Sequence, residues 1–185
     1  MAHIAILGLG NWGTAVARMW LLEGHKVKGW TIEQDVYESV VMEGVNKKYL
    51  PGHSVEGLEA TMRLDEALDG VEIVVLAIPS SVILDVVDEV IPHLRPGHVL
   101  IDLAKGLAPG KRLISQAIHE KLDAAQMTNP LAVVTGPTIA PEAAGGVITT
   151  ALVASEDESV AKRLAETLTT PVSYTHLTLP TTGIV

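Results

Sequence analysis

The chain has 185 residues, 48% of them hydrophobic, and a formal net charge of −9, enough length and apolar content for one domain with a proper core. The acidic balance excludes the basic footprint of a nucleic-acid or anionic-membrane binder, and the absence of cysteine excludes disulfides, thiolate metal sites and thiol nucleophiles. The opening "MAHIAIL" carries no basic region ahead of a long apolar run, and no window approaches the roughly 18 apolar residues of a membrane span, so a soluble cytoplasmic protein is expected.

Apolar, β-branched runs alternate with helical patterns along the whole chain. "HIAIL" (3–7) reads as a strand, and Trp12, Ala15, Val16 and Met19 follow at helical spacing. "KVKGW" (26–30) reads as a second strand, followed by a polar helix from about Glu33 to Met42. "GVNKKYLPGHSVEG" has loop composition, and "ATMRL" reads as a short third strand. "EIVVLAI" (72–78) is a buried strand, and Val82, Ile83, Val86, Val87 and Val90 mark the next helix, with Asp85, Asp88 and Glu89 on its polar face. "HVLIDLA" (98–104), a helix near 110–124 and "LAVVT" (131–135) continue the alternation, and "ITTALVAS" with "ESVAKRLAETL" completes it. Such spacing predicts an α/β fold: a doubly wound, mainly parallel Rossmann-type sheet with helices on both faces.

Three glycines stand at the first strand-to-helix junction, in "ILGLGNWGTA". Gly8 permits a tight turn, Gly10 lets the backbone approach a pyrophosphate, and Gly13 lets helix and strand pack closely. The free N–H groups and positive end of the helix starting near Asn11 would then face phosphates. Glu33 follows Gly13 by twenty positions, at the end of the second strand, where a ribose hydroxyl needs an acceptor. A glycine-rich turn without a ligand is the alternative, and the strand, helix and acidic residue around the motif argue against it. His93 and His98 flank "LRPG" with no partner at metal-ligand spacing, so solvated or capping roles and no metal are expected.

"GLGNWGTA" resembles the start of NAD(P)-dependent glycerol-3-phosphate dehydrogenases, and "NKKYLPG" (46–52), "AIPS" (77–80), "AKGL" (104–107) and "GPTIAPEAAGG" (136–146) agree with that family in order. The resemblance covers residues 1–171, the family's dinucleotide-binding domain. It implies interconversion of dihydroxyacetone phosphate and sn-glycerol 3-phosphate by hydride transfer. By the same resemblance Asn11 and Trp12 match cofactor contacts, Lys105 touches both cofactor and substrate, Gly136 and Thr138 match substrate contacts, and Ala140 a cofactor contact. A solvated lysine at 105, and an ordinary Gly-Pro turn with a helix cap at 136–138, are the alternatives. Ser80 is a weaker candidate that could equally cap a helix.

Two departures from the family pattern matter. Many bacterial members carry Arg or His at the position of Ile32, where a cation meets the 2′-phosphate of NADP; Ile32 cannot do this, and Glu33 accepts a 2′-hydroxyl while repelling a phosphate. NAD is therefore favoured, with Lys28 or Lys47 as cations that could still admit NADP. The second departure is the tail: "VSYTHLTLPT" (172–181) resembles translated sequencing-adapter read-through. Residues 172–185 are read as a non-native tail that packs irregularly.

The family's helical substrate domain, with its base lysine, would lie beyond 171 and is missing from this reading. No catalytic residue is therefore assigned within the chain, which is expected to bind cofactor weakly and turn over little. A phosphate-bearing small molecule is the expected partner, and a homodimer is implied at full length. Two rival functions are a stand-alone NAD-sensing module without chemistry and the cofactor domain of a related two-domain dehydrogenase.

Overall fold

The fold follows from short apolar runs in strands and from apolar residues at three-to-four spacing in helices. In the computed structural model, which describes residues 1–137 and 139–170 and the backbone of 173–178, the elements run in the following order. They are β1 (His3–Leu7), α1 (Asn11–Leu22), β2 (Lys26–Trp30), α2 (Gln34–Glu43), β3 (Glu59–Thr61), α3 (Leu64–Leu68), β4 (Ile73–Leu76), α4 (Ile83–Val90) and β5 (Val99–Asp102). A short hairpin, β6 (Leu107–Ala108) and β7 (Arg112–Leu113), leads into α5 (Ile114–Ala124), β8 (Leu131–Thr135), α6 (Ala140–Ala144), β9 (Thr149–Ser155), α7 (Glu158–Leu168) and β10 (Ser173–Thr178).

Among the described residues eight strands form one sheet in the order β10-β9-β8-β5-β4-β1-β2-β3, and β6 and β7 pair separately. Alternate residues of the central strands serve opposite faces. Ile4, Ile6, Val75 and Ile101 pack with Val16 and Trp20 of α1 and Leu164 of α7. Ala5, Leu7, Leu76 and Leu100 pack with Ile83 and Val87 of α4 and Ile118 of α5. This is why β1, β4 and β5 read as continuous apolar runs rather than alternating ones.

The doubly wound expectation holds, and the structure adds three features to it. β9 runs antiparallel to β8, and the five-residue helix of their connection, α6, packs on α1. α3 and the β6–β7 hairpin, absent from the sequence reading, are each too short to show a period.

The third feature corrects the expected irregular packing of the tail. The backbone of Ser173–Thr178 pairs in parallel with β9, from Ser173 opposite Thr149 to Thr178 opposite Ala154. A strand edge presents a row of N–H and C=O groups that accepts any extended segment of low helix propensity. Residues 171–172 and 179–185 lie outside the described residues.

β1 and β4 are neighbours, yet the chain leaves β1 toward β2 and β3 and leaves β4 toward β5 and β8. The connections therefore part above the carboxyl ends of β1 and β4, the place where open α/β sheets hold ligands.

Candidate functional site

A cleft of about 830 Å³ opens at that point, lined by the turn after β1, the end of β2 and the loops after β4 and β5. Gly8 adopts φ +104°, and a Cβ there would stand 2.5 Å from the Ala77 carbonyl oxygen. A Cβ on Gly13 would stand 2.0 Å from the carbonyl oxygen of Gly8. Both positions therefore require glycine for the fold of the turn. Gly10 differs: a Cβ there meets no protein atom within 4 Å. Its bareness keeps the entrance of α1 uncovered.

The carbonyls of this turn face inward. Leu9 O accepts from Thr14 Oγ1 at 3.1 Å and from Asn46 Nδ2 at 2.8 Å, and Gly10 O accepts from Thr14 N at 3.0 Å. Gly10, the N-cap, brings no side chain to the first turn of α1, whose N–H groups have no partner within the helix. The turn thus holds its negative ends in the protein and presents its positive ends at the helix start, an arrangement suited to a diphosphate. Asn11 and Trp12 line the same cleft, and Trp12 also packs on Leu50 and Ala140.

Glu33 lies at the cleft wall, between β2 and α2. Its Oε1 accepts from the Tyr49 hydroxyl at 2.9 Å, and its Oε2 pairs with the Lys48 ammonium. Lys48 also reaches Asp35 Oδ2 at 3.1 Å. Donation to Glu33 holds the Tyr49 phenol above its ordinary pKa, and the hydrogen bond from Lys48 lowers that of Asp35.

Tyr49 and Lys48 belong to the "NKKYLPG" loop, which Asn46 anchors. Asn46 is fully buried; its Nδ2 donates to Leu9 O and, at 2.8 Å, to Thr14 Oγ1, while its Oδ1 accepts from Tyr49 N at 3.1 Å. The family resemblance puts the basic "NKKYLPG" loop near the cleft and leaves Lys48 open between the cleft and the solvated surface, whereas it gives Asn46 no role of its own. A polar residue inside a loop carries no periodicity, and only the folded loop shows Asn46 against the glycine turn.

The cations named for NADP are placed elsewhere, which is a correction. Lys28 Nζ donates to the carbonyls of Glu66 and Asp69 at 3.1 and 2.8 Å, because its side chain leaves β2 toward α3. Lys47, in the turn after α2, pairs with Glu43 four residues back at 2.5 Å. Ile32 is 74% exposed on the cleft wall.

On the far side, Lys105 is exposed and lines the cleft in the loop after β5, together with Ser80 and Ala140. Ser80 is not the cap of α4, whose N-cap is Val82. Two residues below Lys105's neighbour Ala104, Asp102 is 2% exposed and accepts from Ala104 N at 2.8 Å. Burial pushes its carboxyl up to about 6.

Gly136 is not among the residues lining the cleft; a Cβ there would stand 2.2 Å from the Thr150 carbonyl oxygen, so packing against β9 accounts for its lack of a side chain. Thr138 lies outside the described residues. His98 is buried and accepts from Arg95 N at 3.1 Å, a bond within the 95–98 turn rather than a helix cap, and burial lowers its pKa. Among the described residues no cluster of three or more His, Asp or Glu could hold a metal, and no helix is long and apolar enough to cross a membrane.

The family model for the N-terminus of NAD-dependent glycerol-3-phosphate dehydrogenase matches residues 3–161. A relative from Coxiella burnetii named glycerol-3-phosphate dehydrogenase [NAD(P)+] is 35% identical over 166 residues, covering 89% of this chain and 49% of the relative. One of the same name from Nitratidesulfovibrio vulgaris is 32% identical over 183 residues, covering 98% and 55%. The crystal structure of the Coxiella burnetii enzyme superposes with a TM-score of 0.87 at 33% identity, over 96% of this chain and 54% of that one. The chain therefore spans about half the length of the curated relatives it matches. The turn, the switch-point cleft and the family match agree, and this chain belongs to the NAD-dependent glycerol-3-phosphate dehydrogenase family, of which it carries the N-terminal region.

Proposed function

We propose that this chain is the cofactor-binding part of an NAD(P)-dependent glycerol-3-phosphate dehydrogenase, acting on dihydroxyacetone phosphate and sn-glycerol 3-phosphate. The observation that carries the reading is the turn at 8–13: inward-held carbonyls, an uncapped helix start and an open position at Gly10, all facing one cleft. A bound nicotinamide dinucleotide would supply or accept the hydride. The chain's own residues bind and orient it: first-turn amides of α1 take the diphosphate, Glu33 takes an adenosine ribose hydroxyl, and Trp12 and Ala140 shape the wall. Val82, Val86 and Leu103 give the cleft an apolar side. Lys105, an exposed ammonium at the cleft mouth, would polarise a carbonyl or pair with a phosphate. Gly136 and Thr138 stay in the proposal as substrate-side positions on the family resemblance alone.

Glu33 without a cation at position 32 supports NAD over NADP. Calorimetric titration of the purified chain with NADH tests the binding reading, and heat with a single-site isotherm is expected. Turnover of dihydroxyacetone phosphate with NADH by this chain should be little or none, since one cleft wall does not enclose a substrate. Turnover typical of whole dehydrogenases would overturn that part.

A further inference from the structure

The pair formed by Glu33 and Lys48 has a consequence beyond the preference for NAD, and it rests on the dinucleotide reading above. Glu33 sits at the end of β2, where a ribose edge would lie, with Lys48 on Oε2 and Tyr49 on Oε1. Lys48 is shared with Asp35 at 3.1 Å, so one ammonium serves two carboxylates. Its backbone is held by the Asn46 anchor, because the next residue, Tyr49, gives its N–H to Asn46 Oδ1. Its side chain stays 44% exposed and lies over the Tyr49 ring at 5.5 Å. The residue is thus tethered at its backbone, while its half-exposed ammonium pairs with two carboxylates.

We propose that Lys48 is the residue that lets this site accept a 2′-phosphorylated dinucleotide, by exchanging Glu33 for the phosphate. A 2′-hydroxyl needs an acceptor, which Glu33 provides while still paired. A 2′-phosphate dianion is repelled by Glu33 and Asp35, and it binds only where a cation moves onto it. Lys28 and Lys47 are engaged away from the cleft, and Ile32 offers no charge. Lys48 stands beside the carboxylate that the phosphate would displace, and a doubly charged phosphate is a stronger partner than a shared carboxylate. NADP binding therefore breaks the Lys48–Glu33 pair and NAD binding leaves it intact. Wild-type protein is expected to bind both, NADH more tightly.

The test titrates the purified chain, wild type and variants, with NADH and NADPH, following nicotinamide fluorescence, with circular dichroism confirming that each variant folds. Lys48→Met should lower the NADPH-to-NADH affinity ratio by about tenfold, the loss of one charge-assisted hydrogen bond. Lys48→Arg should restore the ratio to within about threefold of wild type. Glu33→Gln, which frees Lys48 and removes the repulsion, should raise it by about tenfold. The inference is overturned if wild type binds NADH but not NADPH. It is equally overturned if Lys48→Met leaves the ratio within about twofold of wild type, or if Arg fails to restore it. If wild type binds neither dinucleotide, the underlying reading falls, and this inference with it.

Discussion

Three glycines in six residues answer to two different demands. Gly8 and Gly13 are required by the protein's own atoms, at 2.5 Å from Ala77 O and 2.0 Å from Gly8 O respectively. Gly10 meets nothing. The expected outcomes therefore separate: Gly13→Val should destabilise the fold by roughly 3 kcal/mol or more, read by urea unfolding. Gly10→Val should unfold near the wild-type midpoint while NADH affinity falls by about tenfold or more. Equal NADH affinity in a folded Gly10→Val protein would remove the turn from the site. Asp102 offers a second residue-level prediction. Its folded-state pKa is raised from an ordinary 3.8 to about 6 by burial, so its contribution to stability is complete below the unfolded value and is lost as pH rises through about 6. Asp102→Asn keeps the acceptor for Ala104 N–H and removes the buried charge. It should stabilise the protein by about 2 kcal/mol at pH 8, with the gain shrinking toward pH 4; an equal gain at both pH values would refute the cause assigned.

The loop between α2 and β3 shows how much an element can depend on one buried amide. Asn46 holds Leu9 O, Thr14 Oγ1 and Tyr49 N–H at once, so it joins the glycine turn to the residues that clamp Glu33. Asn46→Ala should cost about 1–3 kcal/mol in unfolding free energy and weaken NADH binding along with it. A variant of wild-type stability and affinity would show the anchor to be dispensable. The loop's composition announced a loop, but composition cannot say which of its polar side chains turns inward. The same limit explains Lys28 and Lys47. Lys28 goes to the carbonyls of Glu66 and Asp69 and Lys47 to the Glu43 carboxylate, partners that composition does not reveal. By contrast, β1, β2, β8 and α7 match their sequence-read bounds, because each carries its own apolar period and the residues that end it.

Across the whole molecule, the cleft arises because connections to the two halves of the sheet diverge above β1 and β4. A dinucleotide that binds only the folded state should therefore stabilise the whole domain. NADH at about a hundred times its Kd should add about 2.7 kcal/mol to the unfolding free energy, read as a rise of several degrees in Tm by scanning calorimetry. An unchanged Tm under those conditions would contradict the proposed site. The sequence by itself determined the alternation of strands and helices, the glycine turn, the acidic residue after β2 and the family, because these are local: each is written in neighbouring residues as period, spacing or motif. Only the tertiary structure decided that β9 turns antiparallel, that β10 adds to the edge, that Gly136 answers to β9 and that Lys48 rather than Lys28 or Lys47 meets Glu33. Those outcomes depend on which distant groups folding brings within a few ångströms, and no local pattern encodes that distance.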